Sequence, residues 1–195
     1  MRLIFIGDSY VAGTGDPECR GWTGRVAAAS FRAGIELTAY NLGIGGDTSG
    51  GVLARWREEV GRRLNPDIDN ALVAQFGTND ARTGVALPAA ESLDNLSAFV
   101  DDTRAAGLAP LVVGPLPTAQ PSESARIGEL SQSFAAVCAE HDTPYVELHA
   151  ALRSSIALAG ELERGDGYHP GPEGYAETAR AVLENGWWEW LARGR

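Results

Sequence analysis

The chain has 195 residues, 44% of them hydrophobic and 22% charged, which suits one domain spanning residues 1–195 with a sizeable core. Its 16 basic and 26 acidic side chains give a formal charge of −10, a balance that repels phosphate backbones and anionic lipid and argues against a nucleic-acid binder. All 16 basic residues are Arg, so chemistry that needs a lysine amine, such as Schiff-base catalysis or a phosphate-loop lysine, is excluded.

Five short apolar runs, at residues 3–7, 37–42, 71–76, 108–113 and 144–148, are bounded by Gly, Pro, Asn or Asp and predict buried strands. Helices are predicted over 24–33, 51–64, 89–106 and 123–141, with two further pieces near 150–162 and 173–190. Strand and helix alternating in this way predict an α/β fold: a three-layer α/β/α, doubly wound, five-stranded parallel sheet. The opening Leu3-Ile4-Phe5-Ile6 is too short for a secretion signal. No window approaches the ~18 apolar residues of a membrane span, so a cytoplasmic protein is expected. Cys19 and Cys138 are too few for a disulfide framework or a zinc ribbon and are read as reduced thiols.

Sites in open α/β sheets lie beyond the carboxyl ends of the strands, so the loops leaving each strand carry the interest. The first holds Gly7-Asp8-Ser9-Tyr10, where Ser9 either faces a substrate or caps the next segment. The second, Gly43-Ile44-Gly45-Gly46-Asp47-Thr48, brings a glycine amide near a helix start, where a developing oxyanion would be stabilised. Neither that loop nor Gly13-Thr14-Gly15 has the third glycine of a dinucleotide fingerprint. In the third, Gly77-Thr78-Asn79-Asp80, Asn79 is either an amide donor or a satisfier of its own turn. Asp67-Ile68-Asp69 opens like a calcium loop but lacks its glycine and its closing Glu, and no cofactor or metal is implied.

Of three histidines, His141 precedes the fifth strand and belongs to the opposite rim. His169 lies in Asp166-Gly167-Tyr168-His169, where Asp166 can fold back onto Nδ1 and leave Nε2 free as a base. His149 is the reserve. Together these four segments resemble, in order, the motifs of the SGNH hydrolases, also called the GDSL lipase/esterase family. Tyr10 stands where the eponymous motif has leucine.

The resemblance implies a flavodoxin-like fold and a serine esterase or acylhydrolase working through an acyl-enzyme. Ser9, His169 and Asp166 would form the triad, and Ser9, Gly46 and Asn79 the oxyanion donors, with Gly45 as the alternative to Gly46. Acyl transfer or thioester cleavage with the same triad is the alternative chemistry, and a silent binding module the non-enzymatic one. Short exit loops predict short acyl groups. Asp8, Tyr10, Trp22, Arg82 and Tyr168 are candidate substrate contacts; Arg82 reads first as a solvated surface residue and otherwise as a partner for an anionic substrate group, and Trp22 reads as core or as lining of the acyl pocket. The tail Trp187-Trp188-Glu189-Trp190 is read either as a docked terminal helix or as a homo-oligomer interface.

Overall fold

A computed structural model describes residues 1–193. Five parallel strands, β1 (Arg2–Gly7), β2 (Thr38–Gly43), β3 (Asn70–Gln75), β4 (Leu111–Val113) and β5 (Tyr145–Val146), lie in the order β2-β1-β3-β4-β5. Helices α3 (Ser49–Gly61), α5 (Ala89–Ala105) and α6 (Pro121–Glu140) cover one face, and α2 (Gly21–Arg32) and α9 (Pro172–Val182) the other. The expected three-layer, doubly wound sheet is therefore what the chain forms.

The period of two along each strand explains why the apolar runs are continuous. Leu3 and Phe5 point into one core and Ile4 and Ile6 into the other; Ala71 and Val73 alternate with Leu72 and Ala74 in the same way. Register aligns Gly7 at the end of β1 with Gly43 of β2 and Gln75 of β3, so three strand exits open at one level. The chain reverses its direction of travel between β1 and β3, which makes that rim a topological switch point.

The structure differs from expectation where local chemistry overrides pattern. The predicted fourth strand shrinks to three residues, behind Pro110, which has no N–H to give to a ladder. The fifth shrinks to two residues at the sheet edge. β2 was expected to be buried, yet it is the opposite edge and exposes Thr38, Ala39 and Asn41.

The stretch near 150–162 divides into α7 (His149–Leu152) and α8 (Ile156–Arg164). The last predicted helix breaks at Asn185 and Gly186, after which α10 (Trp188–Arg193) packs back. Trp187 and Trp190 enter the core, Trp187 stacking parallel to Phe5, while Trp188 is 39% exposed. The tail thus docks two of its three tryptophans on its own sheet. Both cysteines are free; burial pushes the Cys138 thiol up to about 12. No described helix is long and apolar enough to cross a membrane.

Candidate active site

Two single-turn helices absent from the sequence prediction shape the rim: α1 (Ser9–Ala12) after β1 and α4 (Thr78–Ala81) after β3. The turn into α1 depends on close approach. A Cβ on Gly7 would fall onto the Gln75 carbonyl oxygen and the Val11 side chain. Asp8 caps α1, its Oδ1 accepting from Tyr10 N at 2.9 Å, and this sets Ser9 at the first helical position facing the cleft.

From the other end of the chain, Asp166, Tyr168 and His169 form a compact turn. The amides of Tyr168 and His169 each donate to Asp166 Oδ1 at 2.9 Å. Asp166 Oδ2 lies 2.6 Å from His169 Nδ1, and His169 Nε2 lies 2.9 Å from Ser9 Oγ. A serine hydroxyl, an imidazole and a carboxylate are thus in line across 160 residues of sequence. Partial burial alone would raise the Asp166 pKa, but the hydrogen bonds from His169 and Tyr168 outweigh it and hold the carboxyl down at about 2. The Tyr10 ring packs beside the imidazole at 5.6 Å between centroids.

The loop after β2 forms a tight turn in which the Asp47 amide donates to the Ile44 carbonyl at 3.2 Å. Gly46, at the third position with φ +79°, supplies the positive φ such a turn needs. The amides of Ser9, Gly45 and Gly46 have no protein partner among the described residues. Asn79 Nδ2 donates to the Asp47 carbonyl at 2.8 Å and stands 3.5 Å from Asp8 Oδ2. Asp80 Oδ1 accepts from Ser49 N at 2.9 Å, so α4 holds both the glycine turn and the start of α3.

Several pinning residues escaped the sequence reading because nothing in their local pattern marks them. Arg55, two turns along α3, donates to Asp47 (2.7 Å), Glu59 (3.1 Å) and the Gly7 carbonyl (2.8 Å), tying the first two exit loops together. Buried Glu123 accepts from the Thr83 amide at 2.7 Å and from the Tyr168 hydroxyl at 2.8 Å. Desolvation opposes its charge, yet those donors and Arg126 hold its pKa below the usual value.

The cleft is about 240 Å³ and is lined by Ser9, the two turn glycines, Thr78, Asn79, Arg82, Tyr168 and His169, with Tyr10 and Thr14 completing the wall. A shallower depression of about 470 Å³ adjoins it across Thr14 and His169.

Three of the candidate residues lie elsewhere. Trp22 is 0% exposed and belongs to the core, donating its indole N–H to Gln75 Oε1 at 2.8 Å, so it does not line the cleft. Asp8 is fully buried beneath Asn79 and cannot touch a substrate; desolvation, reinforced by Asp80 and Asp47, pushes its carboxyl up to about 7. His149 bonds Ser124 Oγ at 3.0 Å on the α6–α7 side, and burial lowers its pKa. His141 sits on the far rim between Ser97 and Asp101, as its position in the chain predicts. Among the described residues no cluster of three or more His, Cys, Asp or Glu side chains is placed to hold a metal.

The chain is 30% identical over 189 residues to the esterase TesA of Pseudomonas aeruginosa, covering 96% of this chain and 86% of that protein. It is 27% identical over 183 residues to an arylesterase of Vibrio mimicus, covering 94% and 86% respectively. A crystal structure of TesA superposes with a TM-score of 0.78 at 25% identity, over 95% of this chain and 98% of that one. An acetylxylan esterase from Geobacillus stearothermophilus shares the fold, with a TM-score of 0.80 at 20% identity over 97% and 95%. The model of the GDSL-like lipase/acylhydrolase family matches residues 5–177. With its four motifs converging on one rim of a flavodoxin-like sheet, this chain belongs to the GDSL-like lipase/acylhydrolase family and is a hydrolase of ester bonds.

Proposed function

We propose that the protein hydrolyses short-chain acyl esters through a covalent acyl-enzyme on Ser9. The observation that carries this reading is the line Ser9 Oγ, His169 Nε2, His169 Nδ1, Asp166 Oδ2, with gaps of 2.9 and 2.6 Å. Ser9 Oγ attacks the ester carbonyl carbon while Nε2 takes the hydroxyl proton, and ionised Asp166 holds the proton on Nδ1 and balances the imidazolium. The negative oxygen is received by the free amides of Ser9 and Gly46 and by the Asn79 side chain. The C–O bond then breaks, His169 passes its proton to the departing alcohol, and the acyl group stays on Ser9. Water attacks next, losing its proton to His169, which returns it to Ser9 as the acid leaves.

The small cleft of about 240 Å³ supports an acyl group of a few carbons, a longer chain having to run out across Thr14 and His169 into the adjoining depression. Release of 4-nitrophenol from acetyl, butyryl and octanoyl esters tests the reading. Turnover is expected to fall from the short chains to octanoyl and to be lost in Ser9→Ala. Equal or faster octanoyl cleavage contradicts the short-chain assignment, and turnover surviving in Ser9→Ala contradicts the nucleophile.

A further inference from the structure

Arg82 lines the cleft and takes no part in the chemistry just proposed. Its guanidinium carbon lies 4.4 Å over the Tyr168 ring. Tyr168 is itself fixed, its hydroxyl donating to buried Glu123, which is held in turn by the Thr83 amide one residue beyond Arg82. Both sides of the stack are therefore anchored to the same carboxylate, and the planar fork of the guanidinium is oriented before any ligand arrives. Glu123 itself is occupied by these donors and forms no ion pair with Arg82.

Arg164 borders the adjoining depression rather than the cleft, and two other arginines near the rim are consumed. Arg25 is paired with Asp16, and Arg55 with Asp47 and Glu59. Arg82 has no acidic partner among the described residues, and no carboxylate lines the cleft it faces. Asp8 and Asp80 are buried behind the wall, and Asp166 opens onto the neighbouring depression. On a chain of net charge −10, an oriented and unpaired cation in a cavity this small marks a place for negative charge.

We propose that Arg82 is a specificity-determining residue that binds a carboxylate carried by the ester substrate, a few bonds from the scissile carbonyl. The inference rests on the esterase reading above and narrows its substrate class to esters bearing a carboxylate.

Two matched substrate pairs test it and distinguish which half of the ester bears the charge. Monophenyl glutarate against phenyl pentanoate places the carboxylate on the acyl side, and 4-acetoxybenzoate against phenyl acetate places it on the alcohol side. Rates are corrected for uncatalysed hydrolysis and expressed as the ratio of kcat/KM for the charged to the neutral member. This ratio cancels any general disturbance of the site. In one of the two pairs the ratio is expected to fall about 10–100-fold in Arg82→Gln, carried mainly by KM, with Arg82→Lys intermediate because the charge remains but the stacked fork is lost. Ratios that stay within twofold of wild type in both pairs overturn the proposal, even if all rates drop together, since Arg82 would then only brace Tyr168. Absence of any Ser9-dependent turnover, by contrast, overturns the esterase reading and this inference with it.

Discussion

Asn79 Nδ2 donates to the Asp47 carbonyl at 2.8 Å and lies 3.5 Å from Asp8 Oδ2, contacts that fix the amide group on the cleft wall before the reaction. Asn79→Ala is expected to lower kcat about 10²–10³-fold with little change in KM, measured on an acetyl ester; a loss confined to KM would contradict an oxyanion role. Asp166 has a different task. Its carboxyl, held at about 2 by the donors of its own turn, stays ionised through the neutral range and fixes which imidazole nitrogen carries the proton. Asp166→Asn preserves the turn's size but reverses that control and should cost roughly 10⁴-fold in kcat. Retention of more than a tenth of wild-type kcat would show that the tautomer is set by something else. Ser9 and Asn79 were legible in the sequence because each stands in a short motif at a strand exit, and His169 because Asp166 stands three residues before it in a turn-rich loop. Asp8 was misread for the same reason: the motif names the residue but not its direction, and here Asp8 turns inward to cap α1.

Among the elements, the central strands β1 and β3 were legible because burial on both faces imposes unbroken apolar runs. The single-turn helices α1 and α4 were not, since four residues give too little periodicity to read. Trp22 shows a second limit. A tryptophan near a helix start reads equally as core or as cleft wall, and only the tertiary structure supplies Gln75 as its partner. That pair bridges layers: the indole of α2 donates to Gln75 on β3, whose Nε2 donates in turn to the Gly114 carbonyl beyond β4 at 3.1 Å. Trp22→Phe leaves Gln75 Oε1 buried without a donor and should cost about 1–3 kcal/mol, read from the urea midpoint. Because Trp22 is remote from the cleft, kcat/KM is expected to hold; a selective loss of activity at full stability would return it to the substrate wall. Arg55 and Glu123 were invisible for a related reason, since their partners on other loops come near only once the sheet has formed.

For the molecule as a whole, the rim that does the chemistry is also where burial works against charge. Desolvation pushes Asp8 up to about 7, against roughly 3.9 in an unfolded chain. Between those two values the unfolded state has released a proton that the folded state keeps, so this group's contribution falls as pH rises from about 4 to 7 and is level above. Wild type is therefore expected to lose more stability than Asp8→Asn between pH 5 and pH 8 in urea titrations. Parallel pH dependence in the two proteins would contradict the buried, proton-retaining Asp8. The most direct test of the central claim also reads the whole chain. Intact-protein mass spectrometry after rapid acid quench of a reaction with 4-nitrophenyl butyrate should show a butyryl adduct, located by peptide mapping on Ser9 and absent in Ser9→Ala. It should accumulate further in Asp166→Asn if deacylation also needs the oriented imidazole. Ester turnover with no adduct on Ser9, in wild type or in the slowed variant, would contradict covalent catalysis by this serine.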